Sequence, residues 1–139
     1  MREPTKGVLS MKNEYYIPKY RYYELKYRCL QYNSWLEEYN CMCGLLASKI
    51  FENDRVDGGE NSNRTYECAV KRVEYWNNMN EIKKALLYLP FDLQTPIFTA
   101  VTEGLGWQVI QARYSLVCTR DEYYKAYHQF FYRLDQIRN

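Results

Sequence analysis

The side chains with the strongest intrinsic chemistry are five cysteines, Cys29, Cys41, Cys43, Cys68 and Cys118, and a single histidine, His128. Thiolates and imidazole are zinc ligands, but a structural zinc site needs about four of them converging. Cys41 and Cys43 lie two apart in a helical pattern, where they do not share a face. With one histidine in the chain, no metal site and no cofactor is expected. The odd number of thiols argues against a disulfide framework. His128 as a general acid–base, or Cys118 as a nucleophile, would need a partner group at a foreseeable position, and none is legible. No phosphate loop or acid–base pair can be read either, so the chain is expected not to be an enzyme.

The 139 residues suit one domain, or a small domain with a helical extension. Lys and Arg total 19 and Asp and Glu 17, a net charge of +2 that excludes a polybasic or an acidic tail but not a local basic patch. Sixteen tyrosines against six glycines and four prolines point to a packed protein with long elements. No run approaches about 18 apolar residues, so no membrane span is expected. The first ten residues lack a secretory apolar core, and a cytoplasmic protein is expected.

The expected class is all-α, and helical periodicity carries it. Residues 1–12 read as a tail, and Pro18 can sit in a first helical turn. Tyr22, Leu25, Cys29, Tyr32, Leu36, Tyr39, Cys43, Leu46 and Ile50 recur every three or four residues, one stripe on a helix over about 20–50. Such a helix would be roughly 45 Å long and needs a partner. Residues 52–63 read as a mobile polar loop around Gly58–Gly59. Ser62 or Asn63 is a candidate cap for a second helix from about Thr65 to Leu89. Its stripe is Ala69, Val73, Trp76, Met79, Ile82, Leu86 and Leu89, and Pro90 should stop it. Residues 13–89 would thus form a long antiparallel helical hairpin, with its seam satisfied within one chain or, in a homodimer, between two.

Residues 90–139 carry three shorter helical signals. Asp92 is a candidate cap for Leu93–Glu103, and Gly104-Leu-Gly106 breaks that helix. Trp107–Tyr114 is a short helix and Ser115–Cys118 a tight connection. Thr119 caps a last helix to about Ile137, with Tyr123, Tyr127, Phe130, Leu134 and Ile137 inward. A short helix, a four-residue turn and a longer helix is the helix-turn-helix layout.

Leu89-Pro90, Gln94 to Phe98, Val101-Thr-Glu-Gly104-Leu105, Trp107, Ile110, Leu116 and Thr119 together resemble the fourth region of bacterial sigma factors. Ala100 to Gly104, Cys118, Arg120-Asp121 and Phe130-Phe131 further resemble small proteins of Firmicute phages, of the ArpU and RinA late-transcription-regulator type. The resemblance covers about residues 20–138. It implies a sigma-like helix-turn-helix that binds double-stranded DNA, in the cytoplasm of a bacterial host.

On that reading the final helix enters the major groove. Opposite its apolar stripe stand Asp121, Lys125, Gln129 and Tyr132; Arg120 leads, and His128 and Arg133 flank. Arg and Gln can pair with guanine and adenine, and Lys can hold phosphate. Thr119 with its neighbouring free N–H groups could seat a phosphate, and Arg113 could grip the backbone. The expected DNA-binding set is therefore Arg113, Thr119, Arg120, Lys125, His128, Gln129 and Arg133.

The sequence departs from the phage pattern in three places. Lys125-Ala-Tyr-His-Gln129 stands where the relatives carry an arginine cluster, Ser115 stands at the usual turn glycine, and Arg113-Tyr114 replace apolar residues. Over residues 107–139 five basic side chains meet three acidic ones, so phosphate attraction is weak. The second reading is accordingly a phage-encoded inhibitor that binds a protein, such as an anti-CRISPR or a modulator of host RNA polymerase, through tyrosine-rich surfaces. The tyrosines themselves read as packing rings, with a base-stacking platform as the alternative. Lys83-Lys84 reads as a solvated face.

Overall fold

The computed structural model describes residues 9–52 and 60–139, with side chains at 9–42 and 64–139. Among the described residues the chain is all-helical: α1 is Lys19–Leu30, α2 Tyr32–Glu52, α3 Glu60–Leu86, α4 Phe91–Glu103, α5 Trp107–Tyr114 and α6 Arg120–Arg138. The first eight residues of the expected tail, and the centre of the expected loop at 53–59, lie outside the described residues.

The helix expected over 20–50 is two helices. Gln31 interrupts it with a single turn residue, whose N–H donates to the Arg28 carbonyl. Its backbone stays in the right-handed region (φ −83°, ψ −8°), so side-chain periodicity passes over the break with little trace. Downstream of it Trp35 is buried, whereas Leu36, expected on the inner stripe, is exposed. Pro18 is the residue before α1 rather than within its first turn, and its carbonyl accepts from Tyr22.

α3 starts at Glu60, so Ser62 and Asn63 lie within it and are not caps. It ends at Leu86, and residues 87–89 form a turn of short-range N–H to carbonyl bonds. Pro90 then precedes α4, with φ −52° and ψ 140°, which places Asp92 inside the first turn rather than at the cap. Only the second half of the α3 stripe is buried: Met79, Ile82, Leu86 and Leu89 are, while Val73 and Trp76 are 58% and 46% exposed and Ala69 is exposed too.

The contacts divide the chain into two units, residues 1–31 with 81–139, and residues 32–80. This partition differs from a boundary at 89/90, because α1 packs on α4 and α6. In the first unit Leu25, Cys29, Ile82, Ile97, Ile110, Phe130 and Leu134 are fully buried. Tyr22 ties α1 to α6 twice, edge-on to Phe131 at 5.1 Å and through its hydroxyl to that of Tyr127 at 2.9 Å. Arg21 pairs with Asp135 beside them. In the second unit α2 meets α3 where Arg72 donates to the Tyr39 hydroxyl at 3.1 Å and Trp76 stacks on the Tyr39 ring.

Candidate nucleic-acid interface

α4, α5 and α6 pack as a trio, α4 against both of the others. Gly104 closes α4 in the left-handed conformation (φ 71°), and the Leu105 N–H returns to the Ala100 carbonyl. The positive φ favours glycine here, and a Cβ at Gly104 would stand 3.1 Å from the tip of the Leu30 side chain, close enough that Leu30 would have to shift slightly. α5 is held to α4 by a 2.6 Å hydroxyl–hydroxyl bond between Tyr114 and Thr99. Ser115 then takes the left-handed conformation (φ 51°) as the only described non-glycine residue with positive φ.

Thr119 caps α6: its hydroxyl accepts from the Glu122 N–H at 3.2 Å. That use satisfies one of the free donors with which Thr119 was expected to seat a phosphate. Asp121 and Glu122 fill the same first turn, where negative charge favours the helix and opposes a phosphate. Arg120 is exposed, with its guanidinium 5.6 Å from the Tyr124 ring centre. Lys125 is exposed as well. Arg113, on α5, is 47% exposed and forms a loose 3.5 Å pair with Glu103. These three cations, with the capping Thr119, are the exposed part of the expected set.

The remaining three are engaged by the protein. Gln129 Nε2 donates to the Tyr88 carbonyl at 3.2 Å, and the Arg133 guanidinium lies 4.6 Å from the centre of the Tyr88 ring. His128 is half-buried among Tyr124 and Tyr127, and burial holds its imidazole below the ordinary histidine pKa. A neutral imidazole adds nothing to phosphate attraction. Tyr132, expected outward, packs on Tyr15 with ring centres 5.6 Å apart. Leu9 and Lys12–Tyr15 line one shared hollow with the α6 side chains Asp121, Tyr124, Lys125 and His128, so this stretch runs beside the outer side of α6.

Two features had no sequence signal. One is that segment beside α6. The other is an exposed apolar knuckle between α3 and α4, where Leu87 is 72% and Phe91 87% exposed beside a half-exposed Tyr88. The described thiols differ in setting: Cys29 is buried, with its pKa raised by desolvation, and Cys41 is exposed. Among the described residues no three His, Cys, Asp or Glu side chains come together as metal ligands, and no helix is long and apolar enough to cross a membrane. Set against family models, curated proteins and solved structures, the chain has no match in any of the three.

Proposed function

We propose that the chain is a phage or prophage transcription regulator, working in the bacterial cytoplasm, in which α4–α6 act as a sigma-like helix-turn-helix on double-stranded DNA. α2 and α3 are read as the antiparallel hairpin of that family. The observation that carries this reading is the sequence of stops between the helices. A left-handed glycine ends α4, a left-handed residue ends the eight-residue α5, and a threonine cap starts a long α6 whose first turn is exposed. In a helix-turn-helix the early residues of the second helix meet base edges. Arg120 would read a base there, Lys125 would contact phosphate, and Arg113 would hold the backbone from α5.

Asp121, Glu122 and Glu103 stand close to these cations, so the intrinsic affinity is low. The regulator then works as a homodimer or beside another DNA-bound protein such as RNA polymerase. The test is a mobility shift at low salt with phage promoter DNA. Arg120→Ala and Lys125→Ala should each weaken the wild-type complex. Unchanged binding in both variants, or no wild-type complex, overturns the reading.

The knuckle at Leu87, Tyr88 and Phe91 favours a second reading, a protein-binding inhibitor of the anti-CRISPR or polymerase-modulator kind without strong DNA binding. Exposed aromatic and apolar side chains in one place are the composition of an interface core. Under this reading a host protein is retained from nuclease-treated lysate by the wild type and lost by Phe91→Ser, and DNA plays no part. Neither reading calls for catalysis.

A further inference from the structure

A hollow of about 190 Å³ opens in the first unit between α1, the Gly104–Gly106 turn and α6. Seven aromatic rings line it, including Tyr23, Trp107, Tyr124 and Tyr127, and Lys26 is its one charged side chain. No carboxylate is among the described residues of its wall. An apolar cavity of about 150 Å³ accommodates benzene, so this one has room for a single ring with a small substituent. Rings around such a guest offer edge and offset-stacked contacts.

Charge selects the substituent. Aromatic faces alone attract cations, as in cages for quaternary ammonium groups. Here the ammonium of Lys26 repels a cation and no wall carboxylate holds one. An anionic group beside Lys26 would instead gain a charge-assisted hydrogen bond. The Tyr22 and Tyr127 hydroxyls are already bonded to each other at 2.9 Å, and burial raises both phenol pKa values, so that part of the wall stays neutral. Gly106 borders the hollow with no heavy atom within 4 Å of the place a Cβ would take.

We propose that this hollow is a binding site for a small aromatic carboxylate, with the ring among Tyr23, Trp107 and Tyr124 and the carboxylate on Lys26. The proposal does not rest on the DNA reading, since none of the cations assigned to DNA lines the hollow.

The full-length chain is titrated by calorimetry and tryptophan fluorescence with benzoate, benzyl alcohol and benzylammonium, three probes of one ring size and different charge. Benzoate should bind saturably, about tenfold tighter than the alcohol, and the ammonium weakest of all. Lys26→Met should bring benzoate down to the level of the alcohol and leave the alcohol unchanged; Lys26→Gln repeats the test with a polar residue. Gly106→Leu, placed at an ordinary φ with open space before it, should weaken all the ligands that the wild type binds. Circular dichroism shows that each variant is folded. Absence of saturable benzoate binding, tighter binding of benzylammonium, or benzoate affinity indifferent to Lys26 overturns the proposal; the probe order on the wild type decides even where a variant fails to fold.

Discussion

If α5 and α6 bind DNA as proposed, the number of cations they offer it can be read from a salt titration. Residues 107–139 hold five, Arg113, Arg120, Lys125, Arg133 and Arg138. Arg133 lies over the Tyr88 ring, and Arg138 is 2.6 Å from Glu81. Three remain. Each phosphate neutralised lowers the slope of log K against log salt by about 0.9, so three give a slope of about −2.7 and five about −4.5. Raising salt from 50 to 200 mM should then cost about 40-fold in affinity with three contacts, against about 500-fold with five.

Fluorescence anisotropy on a labelled duplex across that range measures the slope directly. Arg120→Ala should reduce its magnitude by about 0.9. Arg133→Ala should leave the slope as it is, because that guanidinium is spent on Tyr88. The Arg113–Glu103 pair does not alter the count, since an exposed pair contributes only about 0–1 kcal/mol and gives way to a phosphate. A slope near −4.5, or one that falls with Arg133→Ala, would refute the partition of the cations. A slope near zero would refute phosphate contact altogether.

Four further outcomes are expected. Ser115→Gly should raise stability by about 1 kcal/mol in urea unfolding, because the left-handed conformation costs a residue with a Cβ about 1–2 kcal/mol, partly offset by glycine's chain entropy; a lower urea midpoint would contradict this. Burial lowers the His128 pKa, so the unfolded chain takes up the proton first as pH falls from about 7 through the unfolded value near 6.5, and stability declines until the folded pKa is passed. Denaturant midpoints at pH 7.5 and 5.5 should differ less in His128→Asn than in the wild type, and an equal difference would exclude this histidine as the source. Iodoacetamide on the native protein, followed by peptide mass spectrometry, should alkylate exposed Cys41 and spare buried Cys29; equal rates would contradict the burial. A fragment of residues 90–139 should give the circular dichroism of an unfolded chain, and a cooperative melt from it would show that α1 is dispensable.

The all-helical class was legible because three- and four-residue spacing of apolar side chains survives even where a helix is broken. Thr119 as a cap, Gly104 as a stop and the span of α5 were legible for a local reason: each is decided by the residue's own side chain or φ within one turn. The break at Gln31 was not, since one residue that stays in the right-handed region barely disturbs the stripe. Nor was the engagement of Gln129 and Arg133. Periodicity marks which side of α6 is apolar, and both residues fall on the polar side, where a lone sequence reads them as free. What crosses that side is decided by Tyr88, 41 residues before Gln129, through a backbone carbonyl and a ring. Distant pairings of this kind leave no period to detect.

The position of α1 changes what counts as the binding unit. A three-helix reading of residues 90–139 leaves Tyr127 and Phe131 of α6 without the ring that covers them. Tyr22 supplies it, and Leu25 and Cys29 are completely buried on the same helix. Full burial of a large apolar side chain such as Leu25 stabilises by about 1.5–3 kcal/mol, an appreciable share of the stability of a small domain. α1 packs on both α4 and α6, so it holds α6 in place together with α4. The same contact forms the wall of the aromatic hollow, so occupancy there and the seating of α6 depend on one set of tyrosines.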